Sequence, residues 1–492
     1  MTIPLKKLRE KLLALSRTNR NTVWLVALSL AIALCQFTVY ALIDRILGKD
    51  FLGVWSLVVA ATSIGQISSF GFSNSIVRYL PEMLAKKETA GVGKMLGTVN
   101  FSNFFLTLPI LLLLYFPAVE YASHLLNARQ LSIFRSVIPL SMGALFINNL
   151  FLVYSYFLDA MQKYYLRSAI QIGGWLVFLT LSAVLIRRYG LQGVAIAFFI
   201  QNLLQFLIIL VMISKRRILN KIYPIAFDRE SFQKVSSFGL KSQSISILVI
   251  FFDPLVKFFI TKNIGLSATG NYEISNKIVL QARNLLVSTN QVIIPKIVLH
   301  RNTGTENTYF DEISKRNIVF AIGAGLLIML VAPLPVYFFS GKHDNTLMNC
   351  IIVINLGWVC NMVTSVHYYC CIGLDKIGKL VFYHLILSVT ITVLYLLLNR
   401  YVHITFLYFA VPGVGLFLGS IYNSYLLSRN ITQTYSWLTS GFFLYFLLVS
   451  FLLLFFYQTG SNTIAYIAMP LLFLLYICWI LKKYKVDKLI KF

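Results

Sequence analysis

Charge is what this chain has least of. Asp, Glu, Lys and Arg make up 12% of its 492 residues, about half the share of an ordinary soluble domain, while 58% are hydrophobic. That balance excludes a water-soluble globule and a disordered chain. The charge present has one prevailing sign, with 43 Lys and Arg against 17 Asp and Glu, a net +26. Cysteine is scarce too. Cys35, Cys350, Cys360, Cys370, Cys371 and Cys478 form no Cys-x-x-Cys pair and no Cys/His ligand spacing. Packed small apolar residues are expected there, with neither disulfide nor metal. The histidines are few and scattered, and His367 and His384 read as helix-packing groups rather than a proton relay.

Long apolar runs are abundant. Fourteen reach the length of about 20 residues that a helix needs to cross a bilayer: roughly 23–46, 52–76, 95–116, 132–157, 165–186, 191–213, 238–261, 268–294, 317–340, 347–371, 378–398, 404–427, 437–457 and 462–481. The fold class expected is an all-α polytopic membrane protein of about 14 transmembrane helices. The first run follows a basic stretch, is too long for a cleavable signal and reads as a retained signal-anchor. With the N-terminus inside, most Lys and Arg fall in inner segments such as 6–20, 78–94, 215–241, 296–316 and 482–491. This is the positive-inside asymmetry. The basic charge thus reports topology and attraction to anionic lipid, with no nucleic-acid partner, and both termini are expected in the cytoplasm. The outer loops are short, the longest about 116–131.

The chain also repeats itself. "LGKDFLGVWSL" (47–57) returns as "IGLSATGNYEI" (264–274), with Gly48, Gly53 and Trp55 answering to Gly265, Gly270 and Tyr272 at an offset of 217. "DAMQKYY" (159–165) resembles "GLDKIGK" (373–379), with Lys163 answering to Lys376. Six spans per copy is an even number, so both copies enter the membrane from one side, an arrangement of parallel repeats that places a substrate path between the halves. The expected division is an N-lobe at 1–213 (spans 1–6), an inner linker at 214–237 whose amphipathic part lies on the leaflet, a C-lobe at 238–430 (spans 7–12), and spans 13–14 with a basic tail at 431–492.

Charges inside a bilayer are costly and normally face protein or water. Span 7 carries "FFDPLVKFF", where Asp253 and Lys257 share a helix face and Pro254 is expected to kink the helix. Prolines 109, 139, 333, 335, 412 and 470 are expected to do the same in their own spans. Span 8 carries a polar stripe of Glu273, Lys277, Asn284, Ser288 and Gln291, with Arg283 near its middle. Span 2 has a milder stripe, Thr62, Gln66, Ser69 and Ser73, ending at Arg78. On one reading spans 2 and 8 line a wet cavity in which Lys257, Lys277, Arg283 and Arg78 hold an anion such as phosphate, Arg by its planar fork. Asp253 and Glu273 then become candidates for carrying a coupling proton or sodium. On the other reading Asp253–Lys257 and Glu273–Lys277 are ion pairs that only orient helices. Asp44 and Arg45, at the outer end of span 1, are either an outer gate or a neutral interfacial pair.

The continuation "LGKDFLGVWSLVVAATSIGQISSFGFSNSIVRYLPEM" (47–83), the segment "FGLKSQSISILVIFFDPLVKFFITKNIGLSATGNYEISNKI" (238–278) and "GLQGVAIAFFIQNL" (190–203) resemble the second, the seventh-to-eighth and the sixth spans of Wzx-type polysaccharide flippases, in the multidrug/oligosaccharidyl-lipid/polysaccharide (MOP) exporter superfamily. The likeness covers spans 1 to 12. It implies a V-shaped pair of six-helix lobes with two extra C-terminal helices. It also implies transfer of an undecaprenyl-pyrophosphate-linked oligosaccharide from the cytoplasmic to the outer leaflet of a bacterial inner membrane, as in O-antigen or lipopolysaccharide assembly. Such a protein makes and breaks no bond, so it is no enzyme, and needs no cofactor beyond a coupling H+ or Na+. Its partners are the lipid-linked sugar, membrane lipids and polysaccharide polymerase machinery. The alternatives are an ion-coupled multidrug or lipid II exporter of the same superfamily or, from another class, a polysaccharide polymerase or ligase. The short outer loops and the duplicated unit argue against the last.

Overall fold

A backbone in hydrocarbon has no water to satisfy its N–H and C=O groups, so an apolar run must satisfy them within itself, as a helix does. The computed structural model describes residues 17–86, 88–161, 163–215, 225–290, 297, 306–341, 343–374, 377–401, 405–425 and 437–483, and these contain helices and turns with no strand. They fall into two compact units on either side of Ile250. The first holds α1 (Arg17–Leu47), α2 (Lys49–Gly65), α3 (Phe72–Ala85), α4 (Thr89–Ser102), α5 (Leu108–Ser123), α6 (Ala128–Ala160), α7 (Tyr164–Lys215) and the beginning of α8 (Arg229–Asn263). The second holds the rest of α8, then α9 (Leu266–Asn290), α10 (Glu306–Val331), α11 (Pro333–Ser340), α12 (Asn345–Val363), α13 (Ser365–Gly373), α14 (Ile377–Tyr401), α15 (Thr405–Tyr425), α16 (Gly441–Gln458) and α17 (Asn462–Lys483).

Among the described residues eleven helices are long and apolar enough to cross a membrane. One of them, Tyr164–Ser214, runs 51 residues, over twice the length of one passage, and is interrupted at Gly190. Helix α9 is not among the eleven, because Glu273, Lys277 and Arg283 lower its hydropathy. Fourteen therefore remains the reading of the apolar runs, a count the eleven helices do not fix.

In the first unit the apolar core lies where α3, α4, α6 and the end of α7 meet, around Phe72, Leu96, Phe151, Phe157 and Ile213. The stretch read as linker ends on this core. Ala226 lies over Gly97 of α4, Phe227 packs 5.4 Å from both Phe101 and Phe232, and the Asp228 N–H donates to Thr98 Oγ1 at 3.1 Å. Asp228 Oδ2 then caps α8 by accepting from the Ser231 N–H at 2.9 Å. Helix α8 thus starts inside the expected linker and continues through Pro254 to Asn263.

The run 52–76 is not one helix, and here the structure corrects the sequence reading. After Gly65 the chain tightens into a 3₁₀ turn, Gln66–Ser69. Phe70 (φ 46°) and Gly71 (φ 66°) then turn left-handed before α3 begins. A left-handed Phe is uncommon, and its N–H is retained by Ile67 O at 3.0 Å. Thr62, Gln66, Ser69 and Ser73 therefore do not share one continuous face. Thr62 Oγ1 turns back on the Val58 and Val59 carbonyls, and Ser69 Oγ on that of Gln66. A π-helical turn, Asn103–Thr107, faces the break. From it Thr107 Oγ1 donates to Ser68 O at 3.3 Å and Asn103 Nδ2 to Ser73 Oγ at 3.1 Å and Asn149 O at 3.4 Å.

The repeated motif is a repeated backbone. Gly48 (φ 97°) and Gly265 (φ 118°) each close a helix end in a region that favours glycine. Their N–H groups bond back to Ile43 O and Ile260 O, and their carbonyls receive the N–H of Leu52 and Thr269. Trp55 and Tyr272, one turn further on, are both buried. A second correspondence escaped the sequence reading. Asn317, 214 residues after Asn103, donates Nδ2 to Met362 O (2.9 Å) and Val363 O (2.7 Å). Its Oδ1 accepts from Asn290, 217 residues after Ser73, at 2.9 Å. In each unit, then, an asparagine ties a carbonyl of one neighbouring helix to a polar side chain of another.

Candidate functional site

The charged residues of the second unit are brought together on α8 and α9. Asp253 and Lys257 stand one turn apart on α8, and Glu273 faces them from α9. Lys257 is fully buried. Its Nζ lies 2.5 Å from Asp253 Oδ2 and 2.7 Å from Glu273 Oε2, while Lys277 Nζ approaches Glu273 Oε1 to 3.9 Å. Glu273 is 1% exposed and Asp253 33%. One ammonium therefore serves two carboxylates: the pairs offered by the sequence spacing, Asp253–Lys257 and Glu273–Lys277, are both present, and the Lys257–Glu273 contact between helices is added to them. A buried charge persists only with such partners.

The polar chain continues from there. Asn276, on the same face of α9, donates Nδ2 to Asp253 Oδ1 at 3.3 Å and accepts the indole N–H of Trp358 on Oδ1 at 2.9 Å. Its orientation is forced, because a carboxylate only accepts and an indole N–H only donates. The Trp358 ring, on α12, carries Arg283 above it, with Cζ 5.2 Å from the ring centroid, a cation–π arrangement. Arg283 Nε donates to Asn361 Oδ1 at 2.9 Å and Nη1 to Asn284 Oδ1 at 3.2 Å. Asn361 Nδ2 in turn donates to the Tyr383 hydroxyl at 2.7 Å. Among the described residues no carboxylate lies within ion-pair distance of Arg283. Its neighbours are neutral amides and the rings of Trp358, Tyr368, Tyr369 and Tyr383.

Arg283, Lys277, Lys257, Asp253 and Glu273 thus belong to one assembly. The other expected site residues lie elsewhere. Arg78 is on α3 of the first unit, and its side chain lies outside the described residues, as do the side chain of Ser288 and the whole of Gln291. Asp44 and Arg45 close α1 beside the Gly48 turn, Arg45 exposed and Asp44 half-buried. His367 packs edge-on to Phe310 at 4.8 Å, and His384 lies 4.7 Å from Tyr383. All six cysteines are free thiols. Asn276, Trp358 and Asn361 were missed. The signal for two of them was present in span 10, where Asn355, Trp358 and Asn361 recur every third residue in an otherwise apolar run. The first unit has a cavity of about 250 Å³ where α3, α4 and the start of α8 meet. It is bordered by Glu88, Lys94, Asp228, Glu230 and Lys234, whose charges pair locally as Lys94–Asp228 (3.8 Å) and Lys234–Glu230 (2.6 Å).

Residues 18–299 match the family model described as polysaccharide biosynthesis protein. No curated protein matches the chain. Among solved structures, the chain is similar to the lipid II flippase MurJ in an inward closed conformation (12% identity, 94% of this chain and 99% of that one, TM-score 0.72). It is similar also to an inward-facing multidrug resistance MATE family transporter of the MOP superfamily (13% identity, 86% and 96%, TM-score 0.66). A third is a MOP superfamily transporter from Pyrococcus furiosus described as having a binding pocket of reverse polarity (14% identity, 85% and 96%, TM-score 0.52). At these identities the likeness is one of fold.

Proposed function

The chain belongs to the polysaccharide biosynthesis protein family, and from that premise we propose that it is a flippase that carries a lipid-linked oligosaccharide from the cytoplasmic to the outer leaflet of a bacterial inner membrane. The observation that carries this reading is Arg283. Its guanidinium is set on an aromatic face, oriented through Nε by Asn361, and balanced by no carboxylate among the described residues. With one Nη1 hydrogen donated to Asn284, Nη2 and the second Nη1 hydrogen remain for phosphate oxygens, which a guanidinium can meet in pairs. The linking phosphates of a polyprenyl-diphosphate sugar supply such oxygens. Lys257 is committed to two carboxylates and serves as their counter-ion rather than as a ligand. Lys277, a quarter exposed and at 3.9 Å from Glu273, is the second cation available to the headgroup. No bond is made or broken. The lipid stays in the bilayer while the headgroup passes by alternating access. Direction is supplied by removal of the product outside or by a coupled H+ or Na+, and an ion acting at Asp253 and Glu273 must compete with the Lys257 ammonium.

The test is a leaflet-accessibility assay in proteoliposomes loaded with a fluorescent polyprenyl-diphosphate oligosaccharide. Wild-type protein should expose the inner pool to an external quencher. Arg283→Ala should slow this at least tenfold, and Arg283→Lys, which keeps charge but loses the fork, should be intermediate. Translocation by Arg283→Ala at the wild-type rate would refute the reading.

A further inference from the structure

We propose that Asn276 and Trp358 are positioning residues that tie the Arg283 guanidinium to the Asp253–Lys257–Glu273 triad, so that the arrangement of the triad sets how tightly Arg283 holds an anion. This rests on the reading of Arg283 as the anion ligand. Every link lies in the second unit. Lys257 joins Glu273 of α9 to Asp253 of α8, Asp253 accepts from Asn276, Asn276 accepts from the Trp358 indole, and the face of that indole carries Arg283. The links are buried, Asn276 at 2% and Trp358 at 9% exposure, where water competes little for their hydrogen bonds. Neither end of the Asn276 amide can be exchanged without losing both bonds, so the position of the Asp253 carboxylate sets the position of the amide. The amide then sets the rotation of the indole about its side-chain bonds. The ring plane and the Asn361 bond together set where the Nη edge points. A displacement of Asp253 relative to Lys257, from whatever cause, therefore reaches Arg283 without either charge touching it. Physical coupling between sites needs such a contiguous set of groups with alternative arrangements; here the path crosses three helices, α8, α9 and α12, through four side chains.

The experiment uses the full-length purified protein and farnesyl diphosphate as a short-chain isoprenoid diphosphate probe. The emission of Trp358 is obtained as the difference between wild type and Trp358→Phe. Binding of the probe should shift that emission in wild type. Trp358→Phe keeps a smaller aromatic face but loses the pyrrole ring and its N–H, and should weaken probe binding by about five- to tenfold, less than Arg283→Ala. Asp253→Asn should also change the affinity. In the Trp358→Phe background, however, it should add nothing, because the link is already cut. Strong non-additivity of this kind marks a shared network. Asn276→Leu should reproduce Trp358→Phe, and the thermal midpoint of each variant separates loss of fold from loss of coupling. If Asp253→Asn and Trp358→Phe multiply as independent changes while Arg283→Ala abolishes binding, the relay is wrong and the role of Arg283 stands. If Arg283→Ala binds the probe like wild type, that role falls and the relay falls with it.

Discussion

A lysine with no exposed surface inside an apolar bundle is held only by what it touches. Lys257 touches Asp253 and Glu273, and the three form a unit with one positive and two negative charges, which Lys277 brings toward neutrality from 3.9 Å. Removing the shared cation leaves two carboxylates without their common partner, and Glu273, at 1% exposure, has no water to take its place. Lys257→Met is therefore expected to destabilise the protein by roughly 3–5 kcal/mol, the cost of leaving a buried partner uncompensated. It should be read as a lowered thermal midpoint of purified protein. Adding Glu273→Gln should recover part of the loss, since one of the two orphaned charges is gone. A Lys257→Met protein as stable as wild type would show that the triad holds nothing. The residue types were legible from the sequence, because charges in a span must be partnered. The pairing of Asp253 with Lys257 was legible too, from its i,i+4 spacing, but the nearer partner of Glu273 was not: the spacing offered Lys277, and only the packing of α8 on α9 places Glu273 on Lys257 at the shorter distance.

Between helices, hydrocarbon offers no hydrophobic drive, so close approach and shared hydrogen bonds do the joining. Helices α12 and α15 approach each other closely at Gly357 and Gly413. A Cβ added at Gly357 would lie 2.3 Å from Gly413 Cα, whereas one added at Gly413 would find its nearest neighbour at 3.6 Å. Overpacking of this kind costs roughly 1–3 kcal/mol, so Gly357→Ala should lower the thermal midpoint while Gly413→Ala leaves it unchanged or slightly raised. Equal effects from the two would contradict the crossing. The consequence reaches the site, because α12 carries both Trp358 and Asn361, so an α12 pushed off α15 should also weaken anion binding at Arg283. Elements at this scale were partly legible. The Gly48 and Gly265 turns stood out because a positive φ selects glycine twice, at one offset. The break at Phe70 did not, because a phenylalanine signals no left-handed turn, and the π turn with Thr107 and Asn103 that supports it is 35 residues away in the chain.

For the whole molecule, composition alone was enough to establish a multi-pass helical membrane protein, and the repeat pointed to an internally duplicated one. The Asn103 and Asn317 ties, with offsets of 214 and 217, show that the correspondence reaches the buried polar groups, which scarcely register in a hydropathy pattern. Orientation is a property of the whole chain and is argued from its charges. Segment 78–94 carries Arg78, Lys86, Lys87 and Lys94, whereas 116–131, beyond the intervening passage, carries only Arg129. Lys and Arg near a span are retained on the cytoplasmic side, so the first segment is expected inside and the second outside. Lys86 and His124 are both exposed and lie in those segments. With Cys478, the exposed native thiol, replaced by Ser, a membrane-impermeant maleimide applied to intact cells should label His124→Cys and spare Lys86→Cys, and opening the membrane should reveal the latter. The reverse pattern would invert every loop at once and contradict the cytoplasmic entry of the headgroup proposed above, so this labelling tests the orientation on which that proposal rests.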